Sequence, residues 1–71
     1  MLPRISGKIC VAALERAGFV MIRRESSHLL LRRDESFAQV VVPDHRELDR
    51  GTLRAIIRHA GLEVEAFIRL L

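Results

Sequence analysis

Three strand-like segments in the middle of the chain, separated by only three residues each, constrain the fold more than any other feature. They are Phe19 to Arg24, His28 to Arg33 and Phe37 to Val42, and apolar residues dominate the first and third. Connections this short join antiparallel neighbours, because a parallel pair needs a crossover of about a dozen residues or more. We therefore expect a three-stranded antiparallel meander.

Segments with apolar residues at the three- and four-residue spacing of a helix lie on both sides of the strands. They cover about Gly7 to Ala17, Arg50 to Ala60 and Glu63 to Leu71. Ser6 and Asp49 suit the N-cap positions of the first two helices, and a glycine follows each of these helices. The sequence predicts a single α+β domain over residues 1–71 in the order α-β-β-β-α-α.

Helices in this order cover one face of the sheet and leave the other face to solvent or a ligand. That arrangement is the shape of a double-stranded-RNA-binding domain, which contacts phosphates and 2′-hydroxyls. The charge composition agrees with an anionic partner, because 12 Lys and Arg stand against nine Asp and Glu, for a net charge of +3. All but one of these cations are arginines, whose planar fork binds phosphate bidentately, and the excess lies in the first half of the chain.

The cysteine and histidine positions bear on compartment and cofactors. Cys10 lies in an apolar pattern and predicts a buried free thiol, so we expect a reducing, cytoplasmic setting. No apolar run approaches the roughly 18 residues of a membrane span, and neither export nor a membrane anchor is expected. One cysteine and three histidines at these spacings match no zinc pattern, so we predict no metal or other cofactor.

Residues Arg23 to His28 bring two guanidinium groups, two hydroxyls and an imidazole to the junction of the first two strands. Metal-free RNA cleavage needs a base for the 2′-hydroxyl proton, which suits His28, and a cation for the charge that grows on the phosphate. Because adjacent strand residues point to opposite faces, only one of Arg23 and Arg24 can share the histidine's face. Ser27 is a candidate for orienting the phosphate. From composition alone, however, His28 is better interpreted as a half-exposed strand residue.

Several short motifs follow one another along nearly the whole chain, and their order and spacing are specific although each motif is weak alone. They are Ser6-Gly7-Lys8, Ala17-Gly18-Phe19, Ser27-His28, the Val-Pro-x-His sequence from Val42 to His45, and Gly51-Thr52-Leu53 followed by Ala60-Gly61-Leu62. The chain thus resembles the HicA-type toxins, small ribonucleases of bacterial toxin–antitoxin pairs. The resemblance implies a double-stranded-RNA-binding-like fold, cleavage of messenger RNA and neutralisation by a HicB-type antitoxin.

The resemblance also implies a catalytic residue. The family's catalytic histidine follows Gly-Ser, and the matching residue is His28, with Ser26 in place of the family's glycine. If that turn position has a positive φ, a residue other than glycine costs about 1–2 kcal/mol there. With the resemblance, His28 is predicted to be the general acid or base of an endoribonuclease. The predicted RNA contacts are Lys8, Arg23, Arg24, Ser27 and Arg32.

Two other functions stay open at this point. A non-catalytic double-stranded-RNA-binding module needs the basic face but not the imidazole, and a protein-binding adaptor needs no affinity for RNA. His45 is a candidate second acid or partner contact, although a turn-stabilising hydrogen bond is the favoured interpretation. Arg54, Arg58 and Arg69 on the second and third helices contact either solvent or the antitoxin, and solvent is favoured.

Overall fold

The structure, a computed structural model, describes residues 2–71 and has its elements in the order α-β-β-β-α-α. The elements are the helices α1 (Gly7–Arg16), α2 (Arg50–His59) and α3 (Val64–Arg69) and the strands β1 (Val20–Glu25), β2 (His28–Arg33) and β3 (Ala38–Pro43). The predicted α+β class and element order are confirmed. The second strand has its predicted bounds, the other two strands lie one residue further along the chain than predicted, and the helices are shorter by one to three residues. Within residues 2–71 no helix has the length and apolarity to cross a membrane.

The helix ends agree with the sequence patterns. The Ser6 hydroxyl accepts a hydrogen bond from the backbone N–H of Ile9 at 3.1 Å. The Asp49 carboxylate likewise accepts from the backbone N–H of Thr52 at 2.7 Å. The bond from the Thr52 backbone holds the pKa of the Asp49 carboxyl below its ordinary value, because it favours the ionised form. Gly18 and Gly61 follow the first two helices with φ of 96° and 74°, the left-handed conformation that glycine adopts without strain.

The three strands form one antiparallel sheet in the order β1-β2-β3. Alternate residues of β2 and β3 are buried under the helices, namely Leu29, Leu31, Val40 and Val42. Together with buried residues of the three helices they form one core, which also contains Cys10 as a free thiol. Burial raises the pKa of that thiol to about 12. The prediction that the helices cover a single face is therefore confirmed.

Strand β1 is an edge strand whose residues are all exposed. Its pairing with β2 shifts between Met21 and Arg23, so that Ile22 is the extra residue of a β-bulge. Val20 is 60% exposed and Ile22 is 43% exposed, although valine and isoleucine in strands are usually buried. Strand β1 is thus open on both faces.

Arg33 joins the end of β2 to the helices. Its guanidinium donates to the backbone carbonyls of Ser36 and Ala60 at 2.9 and 3.1 Å, and it lies 4.8 Å from the centroid of the Phe19 ring. These two hydrogen bonds and the ring contact engage the guanidinium within the fold, which it stabilises. The end of the sheet distant from the β1–β2 hairpin loop is fixed in this way.

Candidate active site

His28 is the first residue of β2 and its side chain is exposed. It pairs with Glu25 on β1 and with Pro43 on β3, whereas the next residue, Leu29, is buried under the helices. Directly paired residues point to the same face of a sheet, and neighbours along a strand point to opposite faces. The imidazole therefore lies on the face that the helices leave uncovered, which we call the open face.

A two-residue loop, Ser26 and Ser27, connects β1 to His28. Ser26 has a φ of 57°, whereas Ser27 does not have a positive φ, and this pattern matches a type II′ hairpin turn. Ser26, where the resemblance predicts a glycine, thus has the positive φ at which a residue other than glycine is strained. A serine in this conformation costs about 1–2 kcal/mol relative to an unstrained backbone.

Of the two arginines at the end of β1, Arg23 shares the open face with His28. Arg23 pairs with Leu30, two residues along β2 from His28, which makes it the diagonal neighbour of the histidine. Such neighbours have Cβ atoms about 7–8 Å apart, a distance that an arginine side chain spans. Its Nε lies 3.8 Å from Oε2 of Glu25, but both side chains are well exposed, so this ion pair is weak and a phosphate can displace it.

Arg24 lies on the opposite face, where it pairs with Leu29. Its Nη1 donates to Oδ2 of Asp44 at 2.9 Å, and this hydrogen bond holds the pKa of the Asp44 carboxyl below its ordinary value. The backbone N–H of Asp44 also donates to the carbonyl of Ser27 at 2.7 Å. Arg24 therefore fixes the loop that follows β3 to the hairpin and does not lie beside the imidazole.

The other predicted RNA contacts are distributed around this end of the sheet or beyond it. Ser27 is exposed in the hairpin loop next to His28, and Lys8 is exposed in the first turn of α1, where its charge helps to lower the pKa of Asp44. Arg32 lies on the open face four residues from His28, about 13 Å along an extended strand. Its Nε donates to Asp34 at 2.8 Å. The structure thus places Ser27 and Arg23 next to His28, Lys8 near Asp44, and Arg32 apart.

The predicted first strand ended at Arg24, which left Glu25 in the turn with no predicted part in the site. The structure pairs it directly with His28 on the open face. The short turn was the sequence signal for this pairing, because a two-residue hairpin loop pairs the residues that flank it.

The turn-stabilising hydrogen bond at His45 is made by its backbone carbonyl, which accepts from the N–H of Gly7 at 2.9 Å. The imidazole of His45 makes no hydrogen bond within the described residues.

Across residues 2–71 no three histidine, cysteine, aspartate or glutamate side chains converge on a position that could hold a metal ion. Beside the β1–β2 hairpin, the open face instead presents the imidazole of His28, the carboxylate of Glu25 and the guanidinium of Arg23. This combination can exchange protons and bind an anionic group.

A protein-family model described as the HicA toxin of bacterial toxin–antitoxin systems matches residues 7–62. The match begins with the first residue of α1 and continues beyond the end of α2, so it contains the whole sheet and the β1–β2 hairpin. No curated protein matches the chain significantly.

Proposed function

The chain belongs to the HicA toxin family of bacterial toxin–antitoxin systems, and on that basis we propose that it is a metal-independent endoribonuclease that cleaves messenger RNA. The observation that supports this most strongly is the exposure of His28 on the open face, with Arg23 as its diagonal neighbour. A general base and a phosphate-binding cation thereby reach the same exposed surface.

In the proposed reaction, His28 takes the proton of an RNA 2′-hydroxyl. The 2′-oxygen then forms a bond to the adjacent phosphorus, the bond from phosphorus to the 5′-oxygen breaks, and a solvent water gives a proton to that leaving oxygen. The hydroxide that remains takes the proton held by His28, which restores the free imidazole. The products are a 2′,3′-cyclic phosphate and a 5′-hydroxyl. Arg23 leaves its weak ion pair with Glu25 and donates to the phosphoryl oxygens as their charge grows.

The experiment is incubation of the purified protein with RNA in the presence of a chelator. His28→Ala should cut at least about 100-fold more slowly, since general acid–base catalysis contributes that much or more. His59→Ala is the matched control, because His59 is also exposed but lies at the end of α2. Equal cutting by the wild type and His28→Ala would remove the catalytic assignment.

The same experiment separates the other two functions. RNA binding that survives His28→Ala, without cleavage at any pH by either protein, would identify a non-catalytic RNA-binding module. A lack of affinity for RNA even at low salt would leave a protein-binding adaptor, because phosphate contacts are strongest under that condition.

A HicB-type antitoxin is the proposed partner, and we place its binding on the open face. On this face Leu30 lies between His28 and Arg32 along β2 and is half-buried. Its partner on β3, Val41, is 50% exposed. A surface with an apolar centre and flanking cations fits a partner that presents apolar and acidic side chains. Such a partner would exclude RNA by occupying the surface that the phosphate needs.

A further inference from the structure

A cavity of about 300 Å³ lies between the start of α1 and the loop that follows β3. It is lined by Ser6, Lys8, Asp44, His45 and Arg46. Two of these side chains are cationic and His45 adds an imidazole, whereas Asp44 is the sole acid of the lining. Lys8 and Arg46 form no ion pair with any of the described residues, so their charges are available to a ligand.

The wall of this cavity is held in place by backbone contacts. The N–H of Gly7 donates to the carbonyl of His45 at 2.9 Å, and the N–H of Leu48 donates to the carbonyl of Ile5 at 2.8 Å. A Cβ atom at Gly7 would collide with the carbonyl oxygen of Pro43, so the helix and the loop approach as closely as a glycine allows. The positions of Lys8 and Arg46 are thus set by two segments that are fixed to each other.

The charge of the cavity favours an anion despite the carboxylate in its wall. Asp44 is ionised and is bound by Arg24 at 2.9 Å, so its charge is already compensated by a side chain outside the cavity lining. The remaining lining carries the positive charges of Lys8 and Arg46. The volume of about 300 Å³ is large enough to admit a phosphate group.

The cavity adjoins the candidate active site along the chain. His28 pairs with Pro43, and the next residue, Asp44, lines the cavity and donates its N–H to Ser27. We propose that Lys8, His45 and Arg46 form a subsite for an RNA backbone phosphate that flanks the cleaved phosphodiester, an inference that rests on the proposed function. The RNA strand passes from the open face across the hairpin end of the sheet, and the subsite supplies binding while His28 and Arg23 act on the cleaved bond.

The test uses an RNA oligonucleotide with a 2′-deoxy group at the cleaved nucleotide, which binds but cannot form the cyclic phosphate. The double variant Lys8→Ala/Arg46→Ala should raise the Kd about 10-fold at 0.1 M salt and reduce the slope of log K against log salt by about one, since a single phosphate contact is lost. On cleavable RNA the variant should raise KM and leave kcat within about threefold, since it removes binding that substrate and transition state share.

Arg58→Ala is the control, because Arg58 is also exposed but lies near the C-terminal end of α2. Its Kd should stay within about twofold of the wild type. A Kd for the double variant no higher than that of Arg58→Ala would overturn the subsite. Both side chains of the double variant are exposed, and an unchanged thermal midpoint verifies that it folds.

Neutral methylphosphonate groups, placed singly at the phosphates on each side of the cleaved bond, provide the second measurement. The wild type should lose affinity at one flanking position, and the double variant should be insensitive there. Equal losses for both proteins would contradict the subsite. These readouts use binding to uncleavable RNA, so they remain informative if His28→Ala cuts as fast as the wild type and the nuclease proposal fails.

Discussion

Ser26 stands where the resemblance to the HicA family predicts a glycine, and its backbone has the positive φ that strains a residue other than glycine. Its φ of 57° is left-handed, in a loop of two residues that carries His28 directly after it. The sequence identified the substitution, but the sign of φ follows from the turn type, which depends on the pairing of the flanking strands. The strain is therefore located at the loop that sets the position of the imidazole.

Ser26→Gly should stabilise the protein by about 0.5–1 kcal/mol, because relief of about 1–2 kcal/mol of strain exceeds the added entropy of the unfolded chain. For a domain of this size the thermal midpoint should rise by about 4 °C. Ser27→Gly is the control, since Ser27 lacks a positive φ and glycine there only adds entropy to the unfolded state. A lower midpoint for Ser26→Gly would show that the serine is not strained in this turn.

At the scale of the elements, the strand register decides which arginine joins the site. Simple alternation along β1 would put Val20 on the same face as Arg24, but the bulge at Ile22 shifts the pairing so that Val20 and Arg23 both face the open side. The sequence predicted three strands and placed β2 correctly from its turn residues. It contained no local signal for the bulge, because bulges depend on cross-strand packing. The bulge does not decide which arginine shares the histidine's face, because it lies before both of them. That depends on the hairpin loop: a three-residue loop would pair Arg24 with His28. The observed two-residue loop pairs Glu25 with His28 and puts Arg23 on the open face.

The two neighbouring arginines make a matched pair of variants. Arg23→Ala should lower kcat at least about 10-fold, because removing a preorganised donor to transition-state charge typically costs that much or more. Arg24→Ala should leave kcat within about threefold and raise KM, because it leaves Asp44 uncompensated beside the proposed phosphate subsite. Steady-state kinetics on one RNA gives both parameters. A larger kcat loss for Arg24→Ala would reverse the face assignment.

For the whole molecule, the main consequence of this topology is a sheet with helices on one side and an edge strand that nothing covers. The helical patterns and short turns predicted the two layers from sequence, because they depend on periodicity and loop length. Periodicity and loop length did not predict how much apolar surface the sheet leaves exposed. Val20, Met21, Ile22 and Val41 have apolar identities that usually indicate burial, yet each is at least 37% exposed.

This exposed surface leads to a prediction about the antitoxin. Val41→Glu should weaken the complex with the proposed HicB-type antitoxin at least about 10-fold, because it puts a charge at the apolar centre of the open face. Ile9→Glu is the control, since both residues are 50% exposed but Ile9 lies on α1. Titration calorimetry measures both affinities. Equal losses for the two variants, or a complex that still cleaves RNA, would exclude the open face as the inhibitory interface.

The most direct test of the central claim is a single-turnover cleavage rate on one defined RNA in chelator, with the new ends identified by mass spectrometry. The wild type and His59→Ala should yield a 2′,3′-cyclic phosphate and a 5′-hydroxyl at the same rate, and His28→Ala should be at least about 100-fold slower. A His28→Ala rate equal to that of the wild type, or wild-type products that end in a 3′-hydroxyl, would contradict the assignment of His28 as the group that exchanges a proton with the reacting RNA.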